Sequence, residues 1–142
     1  MTDAVVDANV LLRHLTGVPS GLAERAQKIL VAAEHQNIRL IVTALTLAEV
    51  VFVLEHTYQW PRKAVADGLS KLLASDTFEL PEVALLERAL AWYREMPRLH
   101  FADAYIAAVA ADRRAVLVSF DQALKRLRDL TVVDSPEAFP SA

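Results

Sequence analysis

Four carboxylates in this chain stand where a plain globular core would not put them. Asp7 ends the apolar run Ala4-Val5-Val6, and Glu49 interrupts the apolar stretch Leu45 to Leu54. Asp103 opens the Ala-rich segment Ala102 to Ala111, and Asp121 follows the run Val116-Leu117-Val118 by three residues. Charged groups are rarely placed against apolar surface unless they are paired or bound to a metal. Their joint placement at the ends and edges of core elements suggests one shared acidic site.

Such a cluster has a definite chemistry. Bare carboxylates about 4 Å apart repel by roughly 4 kcal/mol per pair at an effective dielectric near 20, so they want protons, basic partners or a divalent cation. The chain has no cysteine and no histidine pair at ligand spacing. All-oxygen donors select a hard ion, Mg²⁺ or Mn²⁺, over Zn²⁺. Such an ion lowers the pKa of a bound water, orients it for in-line attack and neutralises charge building on phosphorus. A carboxylate off the metal orients that water or takes its proton. Hydrolysis of a phosphodiester is the natural chemistry.

Each acid also has a local explanation. Asp7 and Asp121 follow expected strands, where an Asp accepts backbone N–H bonds and suits the helix dipole. Ser119 and Gln122 fit a capping box around Asp121. Asp103 falls in the first turn of its helix, where the dipole favours it. Glu49 resists this treatment, because its neighbours at helical spacing are Leu45, Thr46, Phe52 and Val53. A Glu at the core's edge, or one paired with an Arg, is its remaining local explanation. Thr46, one turn earlier, offers a supporting hydroxyl. Asn9 and Ser119 are turn or cap residues that would equally serve a site.

These residues hang on alternating strands and helices. Ala4 to Val6 is expected as a buried strand, residues 8–15 as a short helix, and Gly17 to Gly21 as a loop. Leu22, Ala26, Ile29, Leu30 and Ala33 recur at helical spacing over about three turns. A second strand is expected at Arg39 to Thr43 and an apolar helix from Ala44 to about Tyr58. Pro61 opens a helix with Val65, Leu69, Leu72 and Leu73 on one face. Phe78 to Leu80 reads as a strand. Pro81 opens a helix burying Leu86, Ala89, Leu90 and Tyr93. Phe101 to Asp112 reads as a largely buried helix, Ala115 to Val118 as a strand, Asp121 to Arg128 as a helix and Thr131 to Val133 as a last strand. This alternation indicates an α/β fold with a mainly parallel central sheet of about four to five short strands flanked by helices. In such sheets, sites form beyond the carboxyl ends of strands.

Composition sets the outer bounds. At 142 residues, 54% hydrophobic and 23% charged, the chain is expected to fold as a single domain with a substantial core. No basic-then-apolar leader is visible and no apolar run approaches the ~20 residues that span a bilayer, so a cytoplasmic location is expected. The net charge of −3 gives no bulk basic footprint for nucleic acid, although a local basic rim suffices. Three glycines cannot compose a P-loop or dinucleotide fingerprint, and no Gly-x-Ser-x-Gly elbow or metalloprotease histidine motif is present. An Asp-nucleophile phosphatase is disfavoured, because Asp7-Ala8-Asn9 lacks the second Asp that would serve as acid/base.

The segments Val5-Val6-Asp7-Ala8-Asn9-Val10-Leu11-Leu12-Arg13, Thr46-Leu47-Ala48-Glu49-Val50, Phe101-Ala102-Asp103-Ala104-Tyr105-Ile106-Ala107 and Ser119-Phe120-Asp121 resemble the PIN-domain nucleases. The whole chain looks like their VapC branch, the toxins of toxin–antitoxin modules. By that resemblance Asp7, Glu49, Asp103 and Asp121 are the acidic quartet around Mg²⁺ or Mn²⁺, with Asn9 and Ser119 as accompanying polar residues. Ser119 stands where the family often has Thr, which keeps the hydroxyl. The resemblance implies endoribonucleolytic cleavage of RNA such as tRNA or rRNA, leaving a 5′-phosphate and a 3′-hydroxyl. It implies a homodimer neutralised by a VapB-like antitoxin. Arg13, Arg98, His100 and Arg126 are the expected RNA rim, and the helices at 44–58 and 82–96 the expected dimer surface. The competing expectation is a PIN-like module that binds RNA or a partner without cutting.

Overall fold

Helix spacing and strand alternation place most elements in the computed structural model, which describes residues 2–141. Contacts divide the chain into two compact units, Met1–Val83 and Ala84–Ala142.

In the first unit, β1 (Asp3–Val5), β2 (Arg39–Ile41) and β3 (Phe78–Glu79) form a parallel sheet in that order. The register pairs Val5 with Ile41 and Leu40 with Phe78. Arg39 clamps all three strands. Its guanidinium donates to both Asp3 oxygens at 2.7 and 2.9 Å and lies 3.5 Å from Glu79. The hydrogen bond from Asp3, then its charge and that of Glu79, holds the Arg39 pKa above the ordinary value. Helices α1 (Ala8–Thr16), α2 (Ser20–His35), α3 (Ala44–His56) and α4 (Arg62–Ala74) supply the rest. α1 packs on α2 and α3, and α3 on α4. Gly17 ends α1 at φ 73°, a left-handed position suited to glycine, and its N–H closes on the Arg13 carbonyl. Buried leucines and valines at helical spacing (Leu47, Val50 and Leu54 on α3; Val65, Leu69 and Leu72 on α4) form the core, each worth about 1.5–3 kcal/mol.

The second unit contains α5 (Val83–Glu95), whose first residue closes the first unit, α6 (Phe101–Asp112), parallel strands β4 (Leu117–Val118) and β5 (Val132–Val133), and two short 3₁₀ turns. The first turn, Leu124–Arg126, packs on α6. The second spans Pro136–Ala138. Leu86, Ala89, Leu90 and Tyr93 are the buried residues of α5, as their spacing predicts. Tyr93 meets Phe101 edge-on with ring centroids 5.9 Å apart, a favoured aromatic geometry that ties α5 to the start of α6. The architecture is the expected α/β one, with all five strands parallel, three in the first unit and two in the second.

Several local expectations change. Val5 is 71% exposed while Val6 is buried, because successive strand residues face opposite ways. α2 is longer than expected, with sixteen residues, and Leu22 and Ile29 lie outside its buried stripe of Ala26, Leu30 and Ala33. Residues 121–128 form no α-helix. The Asp121 carboxylate captures the Ala123 N–H, the N–H bonds that follow run to carbonyls three residues back, and Leu127 turns extended. Asp129 then adopts a left-handed φ of 62°. An Asp that bonds its own backbone two residues on favours a turn over a helix.

Candidate active site

Of the first-unit candidates, Asp7 lies at the carboxyl end of β1, and Glu49 lies within the helix that follows β2. Asp7 follows β1 and is the N-cap residue of α1, yet its side chain makes no capping bond. Its one side-chain partner among the described residues is Asn9, whose Nδ2 donates to Oδ2 at 3.5 Å, the outer limit of a hydrogen bond. Pairing of Val5 with Ile41 carries β1 and β2 to the same edge. There Thr43 starts α3, the helix that carries Glu49.

Glu49 is exposed, which corrects the expectation that it presses on apolar core. The buried face of α3 is Leu47, Val50, Val51 and Leu54. Glu49 falls off that stripe, on a face with Leu45 and Phe52, which are themselves 82% and 61% exposed. Phe52 lies 4.3 Å from the His56 ring, centroid to centroid. The Thr46 hydroxyl accepts from Thr43 Oγ1 at 3.0 Å, and the Thr46 N–H donates to Thr43 Oγ1 at 3.1 Å. Thr46 therefore serves the helix cap rather than Glu49. The pattern Thr43-x-x-Thr46 ahead of an apolar run carries that signal.

The second-unit acids are half-buried. Asp103 is the one acidic residue in the first turn of α6, placed by the His100 N-cap, and its side chain has neither a hydrogen bond nor an ion pair among the described residues. Asp121 is held by its backbone. Its N–H donates to Ser119 Oγ at 3.0 Å, and its Oδ1 accepts the Ala123 N–H at 2.9 Å. The Ser119–Gln122 capping box gives way to this tighter turn.

None of the four acids has a cationic partner among the described residues, whereas Asp3, Glu24, Glu79 and Asp134 all do. Carboxylates left without lysine or arginine, in a chain without cysteine, fit a hard divalent ion by their donor chemistry. No group of three or more acids and histidines gathers around a common point among the described residues. Magnesium commonly takes only one or two protein carboxylates and keeps several waters, so the donor set remains suited to it.

The expected rim residues divide. Arg13 Nη1 donates to the Tyr58 hydroxyl at 2.8 Å and the Val18 carbonyl at 3.3 Å, so it braces the fold. His100 is exposed at the start of α6 without a side-chain cap bond. Arg98 and Arg126 are exposed and line one surface pocket together with Glu95, Met96, Pro97 and Ala123. Only the fold brings that pair together. Sequence spacing gives no sign of it.

Comparison with known proteins assigns the family. Residues 4–130 match the PIN domain family, whose members are generally nucleases, and the match runs through all four acids. Among curated proteins, no sequence matches this chain. Among solved structures, the chain is similar to one in the crystal structure of VapBC2 from Rickettsia felis bound to a DNA fragment from their promoter. The identity is 15%, the TM-score 0.37, and the match covers 94% of this chain and 98% of that one. On the family match, spanning 4–130, this chain belongs to the PIN-domain family.

Proposed function

We propose that this protein is a metal-dependent endoribonuclease of the VapC type, the toxin of a toxin–antitoxin pair. The observation that carries the reading is the family match across residues 4–130, with Asp7, Glu49, Asp103 and Asp121 inside it and none of them paired with a cation among the described residues. On this reading the two compact units are parts of one PIN domain, as an uninterrupted match supports.

The four acids act together on one Mg²⁺ or Mn²⁺ site. The ion supplies charge neutralisation at the scissile phosphate and a water of lowered pKa. Asp7 and Asp103 would hold the ion directly. Asn9 steadies the Asp7 carboxylate, and Asp103 extends from a helix start whose dipole favours negative charge. Glu49 and Asp121 would complete the site, and one of them would accept a proton from the attacking water. Ser119 fixes the loop that aims Asp121, and Thr46, through the Thr43 cap, fixes the helix that aims Glu49. His100, Arg98 and Arg126 contribute the basic rim that meets RNA, while Arg13, bonded to Tyr58 and Val18, braces the first unit. Cleavage leaves a 5′-phosphate and a 3′-hydroxyl on RNA of the tRNA or rRNA class.

No helix among the described residues is long and apolar enough to cross a membrane, in keeping with action on cytoplasmic RNA. Exposed Leu45 and Phe52 on α3 support a homodimer surface. A VapB-like antitoxin would neutralise the carboxylates with a basic side chain. The test is cleavage of structured RNA by purified protein with Mg²⁺ or Mn²⁺ against an EDTA control. Metal-dependent cutting supports the reading. RNA binding without cutting in either metal would favour the non-catalytic PIN-like module instead.

A further inference from the structure

In the second unit, the connection between α5 and α6 and the first 3₁₀ turn enclose a surface pocket of about 290 Å³. Arg98 lines it from the connection and Arg126 from the turn. Neither guanidinium has a hydrogen bond or ion pair among the described residues, although their neighbour Lys125 is tied to Asp134. Two unneutralised cations sharing one pocket repel each other, and an anion between them relieves that repulsion. The planar fork of donors on each arginine matches phosphate oxygens. The rest of the lining sorts by chemistry. Met96, Pro97 and Ala123 offer apolar wall against which a sugar face can rest. Glu95 is the single acid present and opposes an anion.

The volume stands at the lower end of small-ligand pockets, room for about one nucleotide unit and not for a folded peptide. The place in the chain matters as well. Arg98 stands in the connection that leads into the helix carrying Asp103, Arg126 stands in the turn that follows Asp121, and that turn packs on α6.

We infer that the Arg98–Arg126 pocket holds one backbone phosphate of single-stranded RNA, with its sugar against Met96, Pro97 and Ala123, and so positions the strand for cleavage elsewhere. The inference rests on the ribonuclease reading and adds to it a defined subsite. Arg98 and Arg126 are positioning residues: they touch the strand and take no part in the bond that breaks.

The experiment measures binding of a fluorescent single-stranded RNA oligonucleotide to the full chain in EDTA, by anisotropy across a salt series, so that cleavage plays no part. Circular dichroism melts check that Arg98→Ala, Arg126→Ala, the double variant and Glu95→Gln remain folded, as exposed sites predict. Each single Ala variant should weaken binding about tenfold. The double variant should lose less than the product of the two, because both arginines grip one phosphate. Its slope of log affinity against log salt should flatten by about 0.7, the value for one phosphate on a single strand. Glu95→Gln should tighten binding.

Unchanged affinity and slope in the double variant, with wild type binding and cutting RNA, would overturn the pocket alone. Wild type that neither binds nor cuts RNA would overturn the ribonuclease reading and the pocket with it. Inorganic phosphate displacing the RNA at concentrations below those at which the oligonucleotide binds would make the occupant a free anion and overturn the RNA assignment.

Discussion

Ser119 accepts the Asp121 backbone N–H at 3.0 Å, and this bond turns the chain directly after β4. Asp121 then uses Oδ1 to hold the Ala123 N–H at 2.9 Å, which leaves Oδ2 without a partner among the described residues. One oxygen anchors the loop and the other is available to chemistry. Ser119→Ala removes the first bond. It should cost about 1 kcal/mol in urea denaturation and reduce cleavage, while Ser119→Thr restores both. An Ala variant with wild-type stability and activity would show that the turn holds without the hydroxyl.

Asp103 separates chemistry from folding. It lies in the first helical turn and makes no capping bond, so Asp103→Asn forfeits only a dipole interaction of about 0.3–1 kcal/mol. Cleavage should fall at least about a hundredfold, with stability changed by less than about 1 kcal/mol. A strongly destabilised Asn variant would assign Asp103 to folding instead.

Thr43 is the N-cap of α3, and its side chain accepts the Thr46 N–H at 3.1 Å. Thr43→Ala should destabilise by about 1 kcal/mol, and hydrogen exchange should rise first in the opening turn of α3. If exchange rises uniformly across the first unit instead, the cap is not what holds that end.

The buried stripe of α5 (Leu86, Ala89, Leu90 and Tyr93) and the span of α6 are legible because a 3.6-residue period survives any packing arrangement. In α2, by contrast, that period also takes in Leu22 and Ile29, which are exposed. Strand orientation was harder to read, since Val5 and Val6 are equally apolar and only pairing decides which faces inward. The turn after Asp121 was misread because Asp121 to Arg128 has helical composition, while one carboxylate bond to Ala123 outweighs propensity. Among the candidate acids, Asp7, Asp103 and Asp121 stand out by positions after strands or in the first turn of a helix, whereas Glu49 stands out by apolar neighbours, of which Leu45 and Phe52 are exposed. Thr46 had two possible partners, and the choice of Thr43 over Glu49 depends on a cap geometry that spacing leaves open. The pairing of Arg98 with Arg126 is long-range, so no local pattern announces it.

The Lys125–Asp134 pair gives a pH dependence with a definite sign. The hydrogen bond from Lys125, then its charge, holds the Asp134 carboxyl below the usual range. A carboxyl whose folded pKa is lowered contributes stability that is present above the unfolded value and lost as pH falls through the folded one. Titration by carboxyl NMR should place Asp134 below an ordinary Asp, and Lys125→Met should return it to the normal range. A midpoint unchanged by Lys125→Met would remove the pair as the cause.

The central claim is that Asp7, Glu49, Asp103 and Asp121 serve one metal ion. Substoichiometric Mn²⁺ added to the isotope-labelled full chain tests this without substrate, because a paramagnetic ion broadens the amide signals nearest to it. The account predicts that the amides around all four acids broaden together, at the same low Mn²⁺ concentration, and recover on adding EDTA. Broadening confined to one segment, or absent from all four in protein that still cuts RNA, would contradict it.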